Sequence, residues 1–366
     1  ASLFDCASQQ TSDIITSSEI QTKMEAEKKV VFLAQAKHLT GVLFAALKQI
    51  LLDALRTSLE LYKVMIPLLI ATRLLDQLGV VRWIGEGLSP LMGLAGLPGS
   101  MGLVWATSMV VGFYPALLLI AALSPTTPLT VAQATVIGSM IAIAHGLPVE
   151  GRIAQQAGLR LWFQLIFRIL VAFVYGALFF HVCRLSGFLQ GRAHVILAVP
   201  QQDAGWLAWS LSQAKNLASI SIIILGLMTL MRLLNWLKVT DALARALSPV
   251  LRQIGIGANA VPITIIGMAL GLTFGSGLVI NEARSGRIAY RDVFFSLSLM
   301  SVFHSLIEDT LVLLAIGADV SGLFWGRAAF VFALFLLLAR ALRRLPAAVF
   351  ERWFIRSGQK APSSAA

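Results

Sequence analysis

Apolar residues follow one another along most of the chain in blocks long enough to cross a bilayer. A spanning helix needs about 20 predominantly apolar residues. The pattern predicts eight such spans, at 57–79, 99–123, 130–148, 158–182, 217–238, 257–281, 290–308 and 317–340. The chain is therefore predicted to be an all-α polytopic membrane protein.

Two shorter segments, 80–96 and 239–256, are less apolar than their neighbours, and each carries a Ser-Pro pair in its middle. These pairs are Ser89-Pro90 and Ser248-Pro249. Because proline lacks a backbone donor and disturbs the helical ladder, we expect broken or re-entrant helices here. The alternative is a simple kink in each of two packing helices.

The remaining segments have different compositions. Residues 1–29 are polar and predict a disordered tail, while the apolar positions of 30–56 are interrupted by charges, which is typical of an amphipathic interfacial helix. Residues 183–216 predict a polar connector, and 341–366 a basic cytoplasmic tail.

An internal repeat relates the two halves, 57–182 and 217–340, at a constant offset of 159 residues. The matched pairs are Arg73 with Arg232, Ser89-Pro90 with Ser248-Pro249, His145 with His304, Glu150 with Asp309, and Arg168 with Arg327. Charged, His and Ser-Pro matches at one offset are rare by chance in a leucine-rich chain, so a duplication is predicted.

Loop charges predict that the two repeats are inverted. Arginines occur in the loop 149–160 of the first repeat and in 282–291 of the second, whereas 124–129 and 311–319 contain no Lys or Arg. Equivalent loops of the two repeats thus face opposite sides by the positive-inside rule. Inversion requires an odd number of crossings, about five per repeat, which places both termini in the cytoplasm.

Composition narrows the class of protein further. Hydrophobic residues make up 57% of the 366 residues, charged residues 13%, and mean hydropathy is +0.81. These values exclude a cytosolic enzyme and a disordered chain. The net charge of +11 is spread between apolar runs, so it indicates no nucleic-acid partner. Cys6 and Cys183 predict neither a disulfide nor a structural zinc site.

Ionisable residues inside predicted spans are the main candidates for chemistry. They fall in AHGLPVEG (144–151), with His145 and Glu150, and in FHSLIEDT (303–310), with His304, Glu308 and Asp309. His304 and Glu308 have the i, i+4 spacing of a pair on one helical face. In the first copy Pro148 is expected to break the helix.

The repeat symmetry places His145 and His304 at equivalent positions near the centre of the bilayer. A histidine beside a carboxylate could carry a proton, coordinate a cation or hydrogen-bond a polar substrate. The alternative is a structural pair that holds helices together.

Other candidates are weaker. In the Gly-rich GLTFGSGLVINE (271–282), Asn281 is a candidate ligand, although small-residue packing explains the segment equally well. Arg168 and Arg327 begin the last span of each repeat, and we expect structural roles for them, at the interface or paired with an acid. No catalytic, cofactor or metal site is predicted, and a Walker loop and a dinucleotide fingerprint are absent.

The Ser-Pro segments, GLTFGSGLVINEARSG, HSLIEDTLVLLAIGA and the degenerate AHGLPVEG make the chain resemble membrane proteins of the nucleoside-recognition, or Gate, family. The resemblance covers about 57–182 and 217–340. That family is similar to domains of concentrative nucleoside transporters, spore-maturation membrane proteins and the pore of the ferrous-iron transporter. The resemblance implies a multi-pass protein of the bacterial inner membrane with inverted Gate repeats.

The sequence thus predicts a secondary transporter of a small polar solute, for which a nucleoside-like solute is one option. Coupling to a proton or cation and alternating access about a midplane site are expected. The predicted binding residues are Ser89, His145, Glu150, Ser248, Asn281, His304, Glu308 and Asp309. The partners would be the solute, a coupling ion and the lipid bilayer, with homo-oligomerisation left open. A non-transporting scaffold or regulatory subunit and a divalent-cation permease are the alternatives.

Overall fold

The computed structural model describes residues 48–196, 205–270 and 288–355, except for residue 238 and single or paired positions between 57 and 76. The predicted tail 1–29, most of 30–56 and Asn281 lie outside the described residues. The chain forms two compact units, 1–56 and 57–366, and the sites considered below all lie in the second.

The described residues are mainly helical, in agreement with the predicted all-α class. Helical backbone covers 48–56 and the described positions between 58 and 74. The helices that follow are α1 (Val80–Leu94), α2 (Met101–Val110), α3 (Phe113–Leu123), α4 (Val131–Ile143), α5 (Leu147–Gln156), α6 (Leu161–Ser186), α7 (Trp206–Trp236), α8 (Val239–Ile254), α9 (Val261–Leu270), α10 (Tyr290–Val302), α11 (Glu308–Leu313), α12 (Arg327–Arg343) and α13 (Ala347–Phe354). A 3₁₀ turn (Leu314–Ile316) and a π-helical segment (Ser321–Gly326) connect α11 to α12.

Three stretches of the described residues are long and apolar enough to cross a membrane. They are Val131–Gln156, Leu161–Ser186 and Ser321–Arg343. In an apolar 18-residue portion of each, 72% of the residues are buried in the first stretch, but only 28% and 33% in the other two, so apolar side chains of these two face outward. The predicted span 99–123 is instead divided into α2 and α3, because Gly112 adopts φ +137° between them.

The two Ser-Pro segments are not broken at the Ser-Pro pair. Pro90 lies inside α1 and Pro249 lies inside α8, and both helices continue past the proline. The prediction of a break at these pairs is therefore wrong. A proline removes one backbone hydrogen bond, and the rest of the ladder holds each helix together.

Backbone features recur at the same offset of 159 residues as the sequence matches. Helix α4 begins at Val131 and ends at Ile143, and α10 begins and ends at the equivalent positions, Tyr290 and Val302. After each helix the chain takes a left-handed conformation, at Gly146 with φ +57° and at Ser305 with φ +46°. The same departure from helical geometry thus occurs at the same place in both halves.

Helices α4 and α10 form the centre of the core. Nearly every residue of α4 and every residue of α10 from Val293 to Val302 is buried. A helix that is apolar and buried all round belongs inside a bundle. Close packing around α4 depends on small residues, since a Cβ at Gly176 of α6 would lie 2.9 Å from Met140.

Loop contacts gather different parts of the chain at two ends of this unit. At one end, the Ala193 amide donates to Leu129 and the Ile196 amide to Ala315. At the other end, the Arg160 amide donates to Phe354, and the Arg291 guanidinium donates to the Leu345 carbonyl at 2.8 Å. These two groups of contacts lie at opposite ends of α6, because Arg160 precedes this helix, while Leu189, just past its end, accepts from the Ala132 amide.

Candidate functional site

Both predicted histidines lie where a core helix is interrupted. Helix α4 ends at Ile143 and α5 begins at Leu147, so His145 lies in the break between them. His304 occupies the equivalent break between α10 and α11. Irregular backbone at membrane depth is tolerated only in a protein interior or beside a water-filled cavity, so these breaks mark an internal polar site.

Two local expectations about these breaks are wrong. His304 and Glu308 do not share a helical face, because the left-handed Ser305 separates them. In the first copy the break occurs at Gly146 and not at Pro148, which occupies the first turn of α5. Proline is well tolerated in a first turn, where its missing donor would have no helical partner.

The structure places the two imidazole rings side by side, with centroids 5.1 Å apart. The Nε2 atoms of His145 and His304 lie 3.3 Å and 3.5 Å from the same oxygen, Oε1 of Glu150. Glu150 therefore links the two histidines, in place of the predicted partner Glu308. Helix α5 supplies this carboxylate from its first turn, where negative charge is stabilised by the helix dipole.

Arg168 holds the first break in shape. Its Nε donates to the Ile143 carbonyl at 2.9 Å, and one terminal nitrogen donates to the His145 carbonyl at 3.0 Å. Its other terminal nitrogen pairs with Glu150. A cation at a helix C-terminus satisfies carbonyls that have no helical partner. Of the two roles expected for Arg168, the structure selects pairing with an acid.

Asp309 completes a buried group of possible ligands. One ligand atom each from His145, His304 and Asp309 lies within 4.8 Å of the other two. Asp309 is only 7% exposed, and its Oδ2 has no hydrogen-bond partner. We refer to His145, Glu150, Arg168, His304 and Asp309 as the central cluster.

Glu308 lies beside the central cluster and binds a residue that the sequence did not reveal. The Tyr114 hydroxyl donates to Oε1 of Glu308 at 3.3 Å. The neighbouring Phe113 ring packs edge-on against His145, with centroids 5.4 Å apart. Gly112 is the sequence feature that could have indicated a role for Tyr114. This glycine interrupts the predicted span, and a helix that restarts after a glycine can direct its first residues into the core.

Arg327 occupies the position equivalent to Arg168 but has a different environment. It is fully buried, and none of its three side-chain nitrogens has a hydrogen-bond partner. Its guanidinium lies over the Phe303 ring, 5.3 Å from the centroid. Arg168 therefore forms an ion pair with an acid, whereas Arg327 does not form the equivalent pair in the described part of the chain.

Two further predicted site residues are less buried than the central cluster. Ser89 is exposed on α1 and Ser248 is half-buried on α8, so neither has the burial of the central residues. Asn281 lies outside the described residues. A separate cavity of about 370 Å³, whose lining includes Met101, Thr127 and His194, contains none of the predicted site residues.

The geometry of the central cluster permits three kinds of chemistry. Two imidazoles and two carboxylates can bind a cation, exchange a proton, or hydrogen-bond a polar molecule. The buried apolar helices around them strengthen each of these interactions, because electrostatic forces are weakly screened in a low dielectric.

One part of the chain is similar to a known protein family. Residues 58–158 match the Gate family, which is described as nucleoside recognition. The resemblance predicted from the sequence is confirmed over these residues. The Gate match contains His145 and Glu150, and so includes the first break.

A relative supports the membrane assignment. The chain is 27% identical over 275 residues to the uncharacterized membrane protein YvoD of Bacillus subtilis, an alignment that covers 72% of this chain and 85% of YvoD. No solved structure matches the chain. Together with the apolar helices, the Gate match and this relative indicate a membrane protein.

Proposed function

We propose that the chain is a secondary transporter of a small polar solute that uses alternating access about the central cluster. The observation that carries this proposal is the meeting of two interrupted core helices at a buried group of ionisable side chains. Interrupted helices at matching positions of two repeats are typical of transporter binding sites. The family description makes a nucleoside-like solute one option.

Unpaired polar atoms beside the cluster support a polar solute. In the described residues, Oδ2 of Asp309, Oγ1 of Thr310 and the guanidinium of Arg327 are buried without hydrogen bonds. Burying such groups without partners is costly, and a solute that offers both donors and acceptors would satisfy them. The carboxylates Glu150, Glu308 and Asp309 are the proposed sites of coupling to a proton or cation.

Two inverted repeats in the inner membrane of a bacterium, with both termini in the cytoplasm, are the proposed topology. Contacts on either side of α6 are consistent with this topology: Leu129 accepts from Ala193 on the side of Leu189, which follows α6, while Arg291 donates to Leu345 on the side of Arg160, which precedes it. This arrangement supports the inversion predicted from loop charges.

Uptake into proteoliposomes tests the proposed function. With an inward proton or sodium gradient, the wild type should accumulate at least one solute from a panel of nucleosides and organic ions. His304→Asn should lose most of this uptake, because it removes one side of the cluster. His181→Asn, which changes an exposed histidine on α6, is the control and should retain it.

Solvent access distinguishes a transporter from a scaffold. Cysteines placed at His145 and His304 in a background without Cys6 and Cys183 should react with a water-soluble thiol reagent from at least one side. No reaction from either side, combined with no uptake by the wild type, would favour a dry structural lock and contradict the transporter.

A further inference from the structure

Backbone contacts fix which nitrogen of each central histidine faces the cluster. Nδ1 of His145 lies 3.0 Å from the Ile141 carbonyl, and Nδ1 of His304 lies 2.9 Å from the Met300 carbonyl. A carbonyl oxygen can only accept, so both Nδ1 atoms carry a hydrogen. In the neutral ring each Nε2, which faces Glu150, then has an electron pair to donate, and this is the arrangement found in metal-binding histidines whose other nitrogen donates to a carbonyl.

These two nitrogens converge on a carboxylate. Nε2 of His145 and of His304 lie 3.3 Å and 3.5 Å from Oε1 of Glu150. In a tetrahedral site with metal–ligand distances near 2.1 Å, neighbouring ligand atoms are roughly 3.4 Å apart. The two nitrogen–oxygen distances therefore match the distance between neighbouring ligand atoms in such a site.

A second carboxylate is within reach. The ligand atoms of His145, His304 and Asp309 lie within 4.8 Å of one another, so a small rotation of the Asp309 side chain would bring it into coordination. Asp309 has a buried oxygen without a hydrogen bond, whereas Glu150 is fixed by Arg168. A bound cation would satisfy Asp309 without disturbing the arginine pair.

We infer that His145, His304 and Asp309 bind a divalent transition-metal ion, with Oε1 of Glu150 as a fourth ligand. Imidazole and carboxylate together suit Zn²⁺, Mn²⁺, Fe²⁺, Co²⁺ and Ni²⁺, whereas Mg²⁺ and Ca²⁺ prefer oxygen ligands alone. The inference goes beyond the proposed function, because the ion would join the two helix breaks whether or not the chain transports a solute. The sequence predicts no definite metal site: it leaves cation coordination by the two histidines as one of several options, and it does not group Asp309 with both of them.

Cobalt titration of the full chain in detergent tests the site directly. After treatment with a chelator and its removal, Co²⁺ should produce visible absorption bands that saturate at one equivalent per chain and disappear when Zn²⁺ is added. His304→Gln and Asp309→Asn should each weaken Co²⁺ binding by at least about tenfold. His181→Gln, at an exposed histidine outside the cluster, should bind like the wild type.

Two outcomes would overturn the inference. One is a wild type that shows neither cobalt bands nor a rise in thermal midpoint with Zn²⁺, which would mean that the cluster binds protons only. The other is a folded Asp309→Asn or His304→Gln, judged by gel filtration, that binds Co²⁺ as tightly as the wild type. If either variant fails to fold, the wild-type titration and the other variant still decide.

The titration needs no gradient and no solute. Binding of Co²⁺ without uptake in any assay would support the metal site and contradict the proposed transport. Uptake without Co²⁺ binding would support transport and contradict the metal site.

Discussion

At the scale of single residues, Arg168 and Arg327 occupy equivalent positions but are expected to contribute differently to stability. Both are buried, at 2% and 0% exposed. Arg168 donates to two carbonyls and pairs with Glu150, whereas the Arg327 nitrogens have no hydrogen bonds. A buried charge is tolerated when it is paired, and is costly when it is not.

We therefore expect opposite effects from the same substitution. Arg168→Met should lower the free energy of unfolding by about 3–5 kcal/mol, because it leaves Glu150 buried without its partner. Arg327→Met should leave stability unchanged or increase it. Thermal unfolding in detergent, followed by tryptophan fluorescence, measures both effects, and equal destabilisation by the two variants would contradict this account.

At the scale of helices, the two breaks determine where the central cluster forms. Each depends on one residue in the left-handed region, Gly146 in the first copy and Ser305 in the second. This conformation costs a residue with a side chain about 1–2 kcal/mol, whereas glycine adopts it freely. The left-handed conformation of Ser305 must consequently be stabilised by packing of the residues around it, and the backbone of Ser305 is strained.

Exchanging the residue type at each break tests this strain. Gly146→Ala should lower the free energy of unfolding by about 1 kcal/mol, and Ser305→Gly should raise it by up to about 1 kcal/mol. A Cβ at Gly146 would meet Oε1 of Glu150 at an ordinary 3.7 Å, so the cost would come from the backbone.

The control for this pair is Gly87→Ala. Gly87 lies inside α1, and a Cβ at this position would have no heavy atom of another residue within 4 Å. Because alanine is favoured over glycine in a helix, stability should stay the same or rise slightly. Thermal midpoints of the three variants are compared in one detergent. A lower midpoint for Ser305→Gly than for the wild type would show that the left-handed residue is not strained.

At the scale of the whole molecule, the proposed inversion of the two repeats predicts which loops face the cytoplasm. Cysteines replacing Arg152 and Arg287 should be labelled by an impermeant reagent from the cytoplasmic side, because both belong to basic loops. Cysteines replacing Thr126 and Val320, both exposed, should be labelled from the opposite side.

The cysteines are introduced into a variant in which Cys6 and Cys183 are replaced by serine. Labelling of intact cells measures access from outside the cell, and labelling of inverted membrane vesicles measures access from the cytoplasmic side. The proposed inversion fails if Arg152→Cys and Arg287→Cys react on different sides. Reaction of Thr126→Cys on the same side as Arg152→Cys would contradict the proposed number of crossings in the first repeat.

Much of this organisation is present in the sequence because it depends on composition and periodicity. Apolar blocks predict a membrane protein. The fixed offset pairs His145 with His304 and Glu150 with Asp309, and so predicts all four as candidate site residues. The Gate resemblance is likewise carried by local motifs, and the family match confirms it for residues 58–158.

The partners within the cluster were decided only by the tertiary structure. The sequence paired His304 with Glu308 by helical spacing, but the left-handed Ser305 turns the chain so that His304 meets Glu150 and Glu308 meets Tyr114. A change of one backbone angle redirects every side chain after it, and no regular spacing records that change. Contacts between segments far apart in the chain therefore depend on how the helices pack, which the order of residues alone does not display.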